Sequence, residues 1–463
     1  MTELATEISP DQAAAPTGFW HKEDGWAILI GLVVVLASVG LFSQGSTLRW
    51  LAVLPPRWTD FGQVTKDLAT NWPRYLAQFG FWAVSFGLPL RLLGHRLRDF
   101  VPGFALLYLA AYAIFVIGQW DRAVVYNLEA PLIALFTGLL IANTVGLPRR
   151  FDAGFRGEFY VKTGIVLLGA TVPLSLIVLA GPVAILQASI VSIVTFTVIY
   201  LAAVKLGLDR RFAATLGVGG AVCGVSAAIA VAGAVGAKKE DTPVVISAVV
   251  LWAIAMIFIL PLASKGLLLP TGIAGAWIGT SEFADAAGIA AAQAYGGYAG
   301  KVAGITGTPE QALQAFTLMK VVGRDVWIGI WAVGLAIVAS TRWENDGANG
   351  SAPDAGEIWR RFPKFVLGFL ITSAIITVAT AHDSLADYNK VAVPKLIGPI
   401  KDLRTWTFIF CFFSIGLTTR LRELVATGRR PLAAFSTGVL VNVVLGFVLS
   451  VYVFGGYWAK LGQ

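Results

Sequence analysis

Apolar residues in this chain gather into windows of roughly 20, the length a helix needs to cross a hydrocarbon core, and the windows recur almost from end to end. They lie near Trp26 to Phe42, Tyr75 to Leu93, Pro102 to Gly118, Ala130 to Leu147, Phe159 to Ala180, Val183 to Leu206 and Phe212 to Gly236. The series continues near Val244 to Leu262, Ile273 to Ala294, Ala312 to Val338, Phe365 to Ala379, Trp406 to Leu421 and Leu432 to Phe454. Such a pattern predicts an all-α polytopic membrane protein with about thirteen hydrophobic segments. The first residues, MTELATEISPDQAAAPTGFWHKED, are polar and acidic and lack the basic-then-apolar layout of a signal peptide. Three regions follow: a disordered tail over 1–24, first membrane segments and an outer interfacial loop over 25–129, and a main membrane region over 130–463. In the interfacial loop, Gly45 to Pro73, Trp50, Trp58 and Trp72 flank the pair Pro55-Pro56, a composition suited to the membrane surface.

Basic residues should collect in alternate loops, on the cytoplasmic side. RLLGHRLR at Arg91 to Arg98, PRRF at Pro148 to Phe151, KLGLDRR at Lys205 to Arg211, WRRFPK at Trp359 to Lys364 and RLRELVATGRR at Arg420 to Arg430 do so if every segment spans. The orientation that follows is a bacterial inner-membrane protein with a cytoplasmic N-terminus and a periplasmic C-terminus. KKED at Lys238 to Asp241 would then lie outside. Either the segment before it does not cross fully, or this loop is an exception.

Composition agrees: 57% of the 463 residues are hydrophobic and 13% charged, against about 25% charged in an ordinary soluble domain. The formal charge of +8 resides in short loops, where it serves topology, so no nucleic-acid partner is expected. Two cysteines, Cys223 and Cys411, and three histidines, His21, His95 and His382, suggest no disulfide framework, metal site or cofactor. The polar loop ENDGANGSAPDAG at Glu344 to Gly356 carries no evident chemistry.

Chemistry is expected where the apolar rule breaks, because ionisable residues in a bilayer cost about 2.5–3.5 kcal/mol on insertion scales and mark sites by default. GTSEFADAAG at Gly279 to Gly288 places Glu282 and Asp285 on one helical face, and LMKVVGRDVWIG at Leu318 to Gly329 does the same for Lys320 and Arg324, with Asp325 beside them. These groups either pair to hold helices in register, or the cations attract an anion while the carboxylates couple or gate its release. A second anomaly is GVGGAVCGVSAA, Gly217 to Ala228. Its Gly220 and Gly224 form a GxxxG suited to close helix packing. The other reading is a helix broken around Gly217 to Gly220 and restarting near Cys223 to Ser226, whose new N-terminus faces an anion. Gly219, Gly220, Cys223, Gly224 and Ser226 would then form the cradle, with Ser226 adding a hydroxyl donor. Asn143, Gln187 and Asn442 read as bonds across helices.

A faint repeat also appears. GATVPLSLIVLAG from Gly169 and GLTTRLRELVATG from Gly416 share glycine, threonine, leucine and glycine at matching offsets and run in opposite directions on this topology, as inverted repeats require.

PLIALFTGLLIANT at Pro131, GIVLLGATVPL at Gly164, LGLDRRFAATLGVGGAVCGVSAA at Leu206 and SIGLTTRLRELVATGRRPL at Ser414 resemble, in order, a family of conserved uncharacterised bacterial membrane proteins named as sulfate exporters. That family is similar in architecture to the bile-acid and bicarbonate transporter group. The resemblance implies inverted repeats, crossed broken helices and secondary transport of a small anion. The chain departs from it in three places, one being an N-terminal region to about Glu129 longer than the family minimum. Phe283 and Ala284 stand near a usual His-acid pair, and the spacing from Lys320 to Arg324 is one residue longer than usual.

The combined expectation is a secondary transporter, an exporter of a small anion (sulfate, sulfite or organosulfonate) working by alternating access. Gly219, Gly220, Cys223, Gly224, Ser226, Lys320 and Arg324 would bind the substrate, and Glu282, Asp285 and Asp325 would couple or gate. The alternatives are a proton- or sodium-coupled importer of organic acids, or an anion channel. The expected partners are the substrate anion, the lipid bilayer, a coupling proton or sodium and, compatibly, further copies in a homo-oligomer. An enzyme is not expected: no H-E-x-x-H occurs and Ser226 has no visible base.

Overall fold

The computed structural model describes residues 22–123, 130–172, 174–238, 241–343, 364–381, 388–420, 422 and 428–461. The expected tail therefore falls almost entirely outside the described residues, as do His21, His382, the loop from Glu344 to Gly356 and most of the WRRFPK run. Everything else of length is helix, with no strand among the described residues. By length and composition, 6 helices among the described residues are long and apolar enough to cross a membrane.

The helices run between two ends of a bundle. α1 (Glu23–Ser43), α2 (Phe61–Leu92), α3 (Leu97–Gly118), α4 (Ala130–Thr144) and α5 (Gly157–Gly169) alternate in direction. Ion pairs between Arg156 and Glu23 (3.8 Å) and between Lys162 and Asp24 (2.8 Å) bring the starts of α1 and α5 to one end. The loops after α2, α4 and α6 (Leu174–Lys205) gather there too, which makes this end the basic face of the bundle. α2 begins well before its apolar window, because Asp60 caps it by accepting from the Gly62 N–H at 3.0 Å. Trp72 accordingly lies in a helix, where an interfacial loop was expected.

Two of the thirteen expected segments do something else. α7 (Arg210–Ala221) and α8 (Val225–Val235) are short helices joined by a tight turn, and the Arg211 guanidinium at the start of α7 donates to the Gly236 carbonyl at the end of α8 (3.3 Å). Two collinear helices of this length would separate those residues by over 30 Å at about 1.5 Å per residue. The segment is therefore a re-entrant hairpin that leaves by the face it entered. Lys238 consequently lies on the basic face with Lys205 and Arg210, and the apparent exception to the charge rule disappears.

α9 (Asp241–Gly266) then crosses to the opposite face, where α10 (Thr271–Ser281) and α11 (Asp285–Gly296) form a second hairpin. Its closure is marked by Tyr295, near the end of α11, donating its hydroxyl to the Leu269 carbonyl just before α10 (2.5 Å). α12 (Pro309–Thr317), a π-helical stretch (Leu318–Arg324) and α13 (Trp327–Val338) return to the basic face. α14 (Phe365–Ala379), α15 (Gly398–Thr418), α16 (Arg429–Phe447) and the short α17 (Gly455–Ala459) complete the chain.

Packing divides these elements into two bodies. α1 to α5, α14 and α15 form one, with a dense aromatic core in which Trp82, Phe86, Phe104, Tyr108, Tyr160, Trp406 and Phe410 interlock. α6 to α13, α16 and α17 form the other, which contains both hairpins. α5 lies antiparallel to α15, and α6 to α16, the latter joined by Asn442 donating to Thr195 (2.9 Å) and Gln187 donating to Ser450 (2.8 Å). Gly169 and Gly416, which open the two similar sequence segments, therefore sit toward opposite faces.

With Cys223 and Cys411 replaced by serine, single cysteines at Lys205 and Lys238 should both react with a membrane-impermeant maleimide from one side of the membrane, and one at Lys301 from the other. Labelling of 205 and 238 from opposite sides would rule out the first hairpin.

Candidate functional site

The tips of the two hairpins meet in the protein interior. α7 runs helically through Gly217, Gly219 and Gly220, so the break falls a few residues later than expected, at Val222 to Gly224. Gly224 has φ +78°, and a methyl added there would land on the carbonyl oxygen of Phe283 at the other tip, so positive φ and close approach both require glycine. Gly219 and Gly220 instead make room for side chains: Val245 and Val249 against the first, Ile199 and Phe435 against the second.

Four helix ends converge at this crossing, and they are treated in pairs. The C-terminal ends of α7 and α10 carry carbonyls with no partner of their own and a partial negative charge. Lys320 and Arg324, both fully buried, serve them. Lys320 Nζ donates to the carbonyls of Val222 (2.8 Å) and Glu282 (2.9 Å). Arg324 donates to Gly279 (3.2 Å), Thr280 (2.6 Å), Glu282 (3.0 Å) and Gly220 (3.2 Å). The cations expected to meet a substrate are thus directed at backbone, and neither is among the lining residues of the two cavities between the bodies. The π-helical winding of Leu318–Arg324 holds an extra residue in the turn and keeps both side chains on the tips.

The N-terminal ends of α8 and α11 face a cavity of 610 Å³ that reaches from the tips to the basic face, between the two bodies. Helical bonding begins with the N–H of Ala228 to Gly224 and of Gly288 to Ala284. The N–H groups of Val225 and Ser226, and of Ala286 and Ala287, therefore precede the ladder. Cys223, Val225 and Ser226 line the cavity from one tip and Ala284, Asp285, Ala286 and Ala287 from the other. Of the three expected coupling acids, Asp285 alone reaches it, 3.9 Å from Lys320. Glu282 turns back to accept from the N–H of Phe283 (2.8 Å) and Ala284 (3.3 Å), and Asp325 is fully buried.

The opposite wall holds residues that the sequence reading did not single out. Glu158 and Lys162 on α5 line the cavity 3.9 Å apart, and Arg156, Glu23 and Arg420 stand at its rim. Lys162 interrupts an expected apolar segment, one helical turn from an acid, and that was the available signal. At the rim, Arg156 lies 3.1 Å from the ring nitrogens of His95. Partial burial and that guanidinium hold the His95 imidazole below its ordinary value. Most of the remaining lining is apolar: Val161, Ile165, Val250, Ile254 and Ile257.

A second cavity of 470 Å³ lies between the same two bodies at the opposite face, bordered by Gln119, Trp120, Pro131, Gln293 and Pro309. α11 packed on α4, α5 and α15 separates the two. Beside it, Glu310 of α12 is bound to Lys401 (2.9 Å) and Arg404 (3.6 Å) of α15, and Arg404 also donates to the Thr171 hydroxyl (2.8 Å). The bodies are thus bolted together at the face away from the open cavity. No group of His, Cys, Asp and Glu among the described residues is arranged to hold a metal ion.

The family model described as Conserved hypothetical protein 698 matches residues 102–435. The chain belongs to this family. The match contains both hairpins, the π-helical stretch and α5. Among similar proteins, a UPF0324 membrane protein of Rhodopirellula baltica is 31% identical over 421 residues, 89% of this chain and 73% of its own length. One from Nitrosomonas europaea is 27% identical over 470 residues, 93% of this chain and 95% of its own. A third, from Nitratidesulfovibrio vulgaris, is 31% identical over 394 residues, 84% and 65% of the two chains. No solved structure matches.

Gly224→Ala should destabilise the protein by about 1–3 kcal/mol from the backbone conformation alone, and by more because of the opposing carbonyl. Arg324→Gln should lower the yield of folded protein sharply, since hydrogen bonds from a charged group are worth about 1.5–3 kcal/mol each. Ser226→Ala should leave the unfolding temperature within about 1–2 °C of the parent, as expected for a side chain facing a cavity. Thermal unfolding in detergent measures all three.

Proposed function

We propose that the protein is a secondary transporter of a small anion, working by alternating access in a bacterial inner membrane. The observation that carries this reading is the convergence of two half-helix N-termini, from hairpins of opposite entry, on one cavity open to one face. Such ends offer free N–H groups and favourable dipoles to an anion, and interrupted helices meeting inside a membrane protein are the usual construction of a carrier site. Ser226 adds its hydroxyl, Asp285 responds to a coupling proton or sodium, and Lys320 and Arg324 hold the two tips together as one unit. The basic loops on the open face support a cytoplasmic N-terminus and a periplasmic C-terminus, so the cavity opens inward and export starts from this state.

Sulfate, sulfite and organosulfonates are the substrates first to be tested. The apolar lining by Val161, Ile165, Val250, Ile254 and Ile257 favours those with an organic portion, and it keeps open the reading of an importer of organic acids. The antiparallel pairs α5/α15 and α6/α16 support an inverted repeat. The second cavity and the Glu310 bolt support the opposite gate, which must release for the outward state.

In proteoliposomes, labelled sulfite, sulfate or taurine should move under an imposed proton or sodium gradient and compete with one another. Ser226→Ala should raise KM several-fold, a loss of about 1 kcal/mol in binding. The absence of both gradient dependence and competition would overturn the proposal. Glu310→Gln should speed alkylation of Cys223 from the periplasmic side, and an unchanged rate would remove the bolt from the gate.

A further inference from the structure

A groove of 610 Å³ on the outer wall of the hairpin-bearing body lies apart from the transport cavity. It runs between α6 and α13 and ends at the basic face. Its walls are aromatic: Phe196 packs on Trp331 with ring centres 4.1 Å apart, Trp331 on Trp327 at 6.0 Å, and Tyr200 stacks with Trp343 at 6.4 Å and 12°. Trp331 is locked in place by donating its indole N–H to the Ser192 hydroxyl (2.9 Å). Ile330, Gly334, Leu335 and Val338 supply an apolar floor. At its end stand Arg210 and Arg342, both exposed, and neither makes an ion pair or side-chain hydrogen bond among the described residues. The neighbouring acid, Asp209, is occupied as the cap of α7, accepting from the N–H groups of Arg211 (2.9 Å) and Phe212 (3.3 Å).

We infer that this groove is a binding site for an anionic phospholipid of the leaflet on the basic face. Two exposed guanidiniums match a phosphate-bearing headgroup, and basic pockets between membrane helices on that side are where anionic lipid headgroups bind. Aromatic rings at the interface accommodate the boundary between headgroup and chain. A free phosphate would have no use for the apolar floor, and a zwitterionic lipid would offset its phosphate with a cationic group brought up against the two arginines. The back of the same wall supports the first hairpin: Ile328, Ala332, Leu335 and Ala339 of the α13 region pack with Ala227, Val231 and Val235 of α8. A bound lipid therefore braces the hairpin that carries Ser226. The inference rests on membrane insertion and not on which ion is carried.

The test uses the full chain in detergent, with phosphatidylglycerol, phosphatidylcholine of the same acyl chains, and glycerol phosphate as probes. Lipid retention is read by native mass spectrometry and unfolding temperature by a thermal scan. Wild type should retain phosphatidylglycerol several-fold more than phosphatidylcholine and gain several degrees from it alone. R210Q/R342Q should lose the preference, whereas R96Q/R98Q, on the same face of the other body, should keep it. Gly334→Leu provides a second variant with both arginines intact. An added Cβ there meets nothing within 4 Å, so the protein folds while the groove is filled, and the retained lipid should fall. The proposal is overturned if the R210Q/R342Q and Gly334→Leu variants retain phosphatidylglycerol like wild type, if phosphatidylcholine protects equally, or if glycerol phosphate alone reproduces the effect. It is also overturned if Gly334→Leu instead dissolves an oligomer, which would make the groove an interface between copies.

Discussion

Two helices end inside this protein with their carbonyls facing one another, and everything around them depends on how those carbonyls are satisfied. A buried polar group without a partner costs about 1–3 kcal/mol, and each helix terminus presents several, so two interior C-termini would be prohibitive unaided. Lys320 and Arg324 meet that demand from a third helix. The carbonyls in turn compensate two charges that could not otherwise be buried. Because the cations hold the negative ends, the positive ends of α8 and α11 are left turned the other way, toward the cavity. One set of hydrogen bonds therefore does three things: it closes the hairpin tips, pins them to the π-helical stretch that follows α12, and sets the sign of the field that a solute entering the cavity meets.

The two bodies differ in kind. The first is knitted by ring-on-ring packing around Trp82, Phe104 and Phe410, which resists shear. The second is built on backbone approach, with glycines and alanines letting α7, α8, α10 and α11 come close. Between them the contacts are sparse and centred on α11, with a cavity on either side. Both tips belong to the second body, so the tips keep their mutual geometry whatever the two bodies do relative to one another. The seam has charged fastenings at one face and an opening at the other.

Much of the class and some of the site were legible in the sequence. Length and apolarity marked α1, α3, α9 and α16 as membrane helices, and the unusual residues clustered around the crossing: Glu282, Asp285, Lys320, Arg324 and the glycine block. Hydropathy cannot distinguish a segment that crosses from one that doubles back, because both are equally apolar. Only the KKED run at Lys238 to Asp241, whose lysines would lie on the wrong side of an assumed span, signalled the first hairpin, and nothing comparable signalled the second. Charge at mid-membrane drew attention to the crossing, but the partners of Lys320 and Arg324 were not legible, because backbone carbonyls at helix ends have no sequence signature. Glu158 and Lys162 were overlooked because they sit near the end of an apolar window, where ionisable groups usually mean an interface.

The π-helical stretch has a geometric consequence beyond bringing Lys320 and Arg324 onto the same tips. Each α-helical residue turns the chain by about 100°, so one residue absorbed as a bulge fixes the phase of everything downstream. α13 follows immediately, and its angular setting decides that Trp327 and Trp331 look outward beside α6 while Ile328 and Ala332 look inward to α8. Removing one residue between Lys320 and Arg324 would rotate that whole helix by more than a quarter turn. The interior crossing and the outer aromatic wall are thus phase-locked, two surfaces on opposite sides of a helix governed by the winding of a single turn.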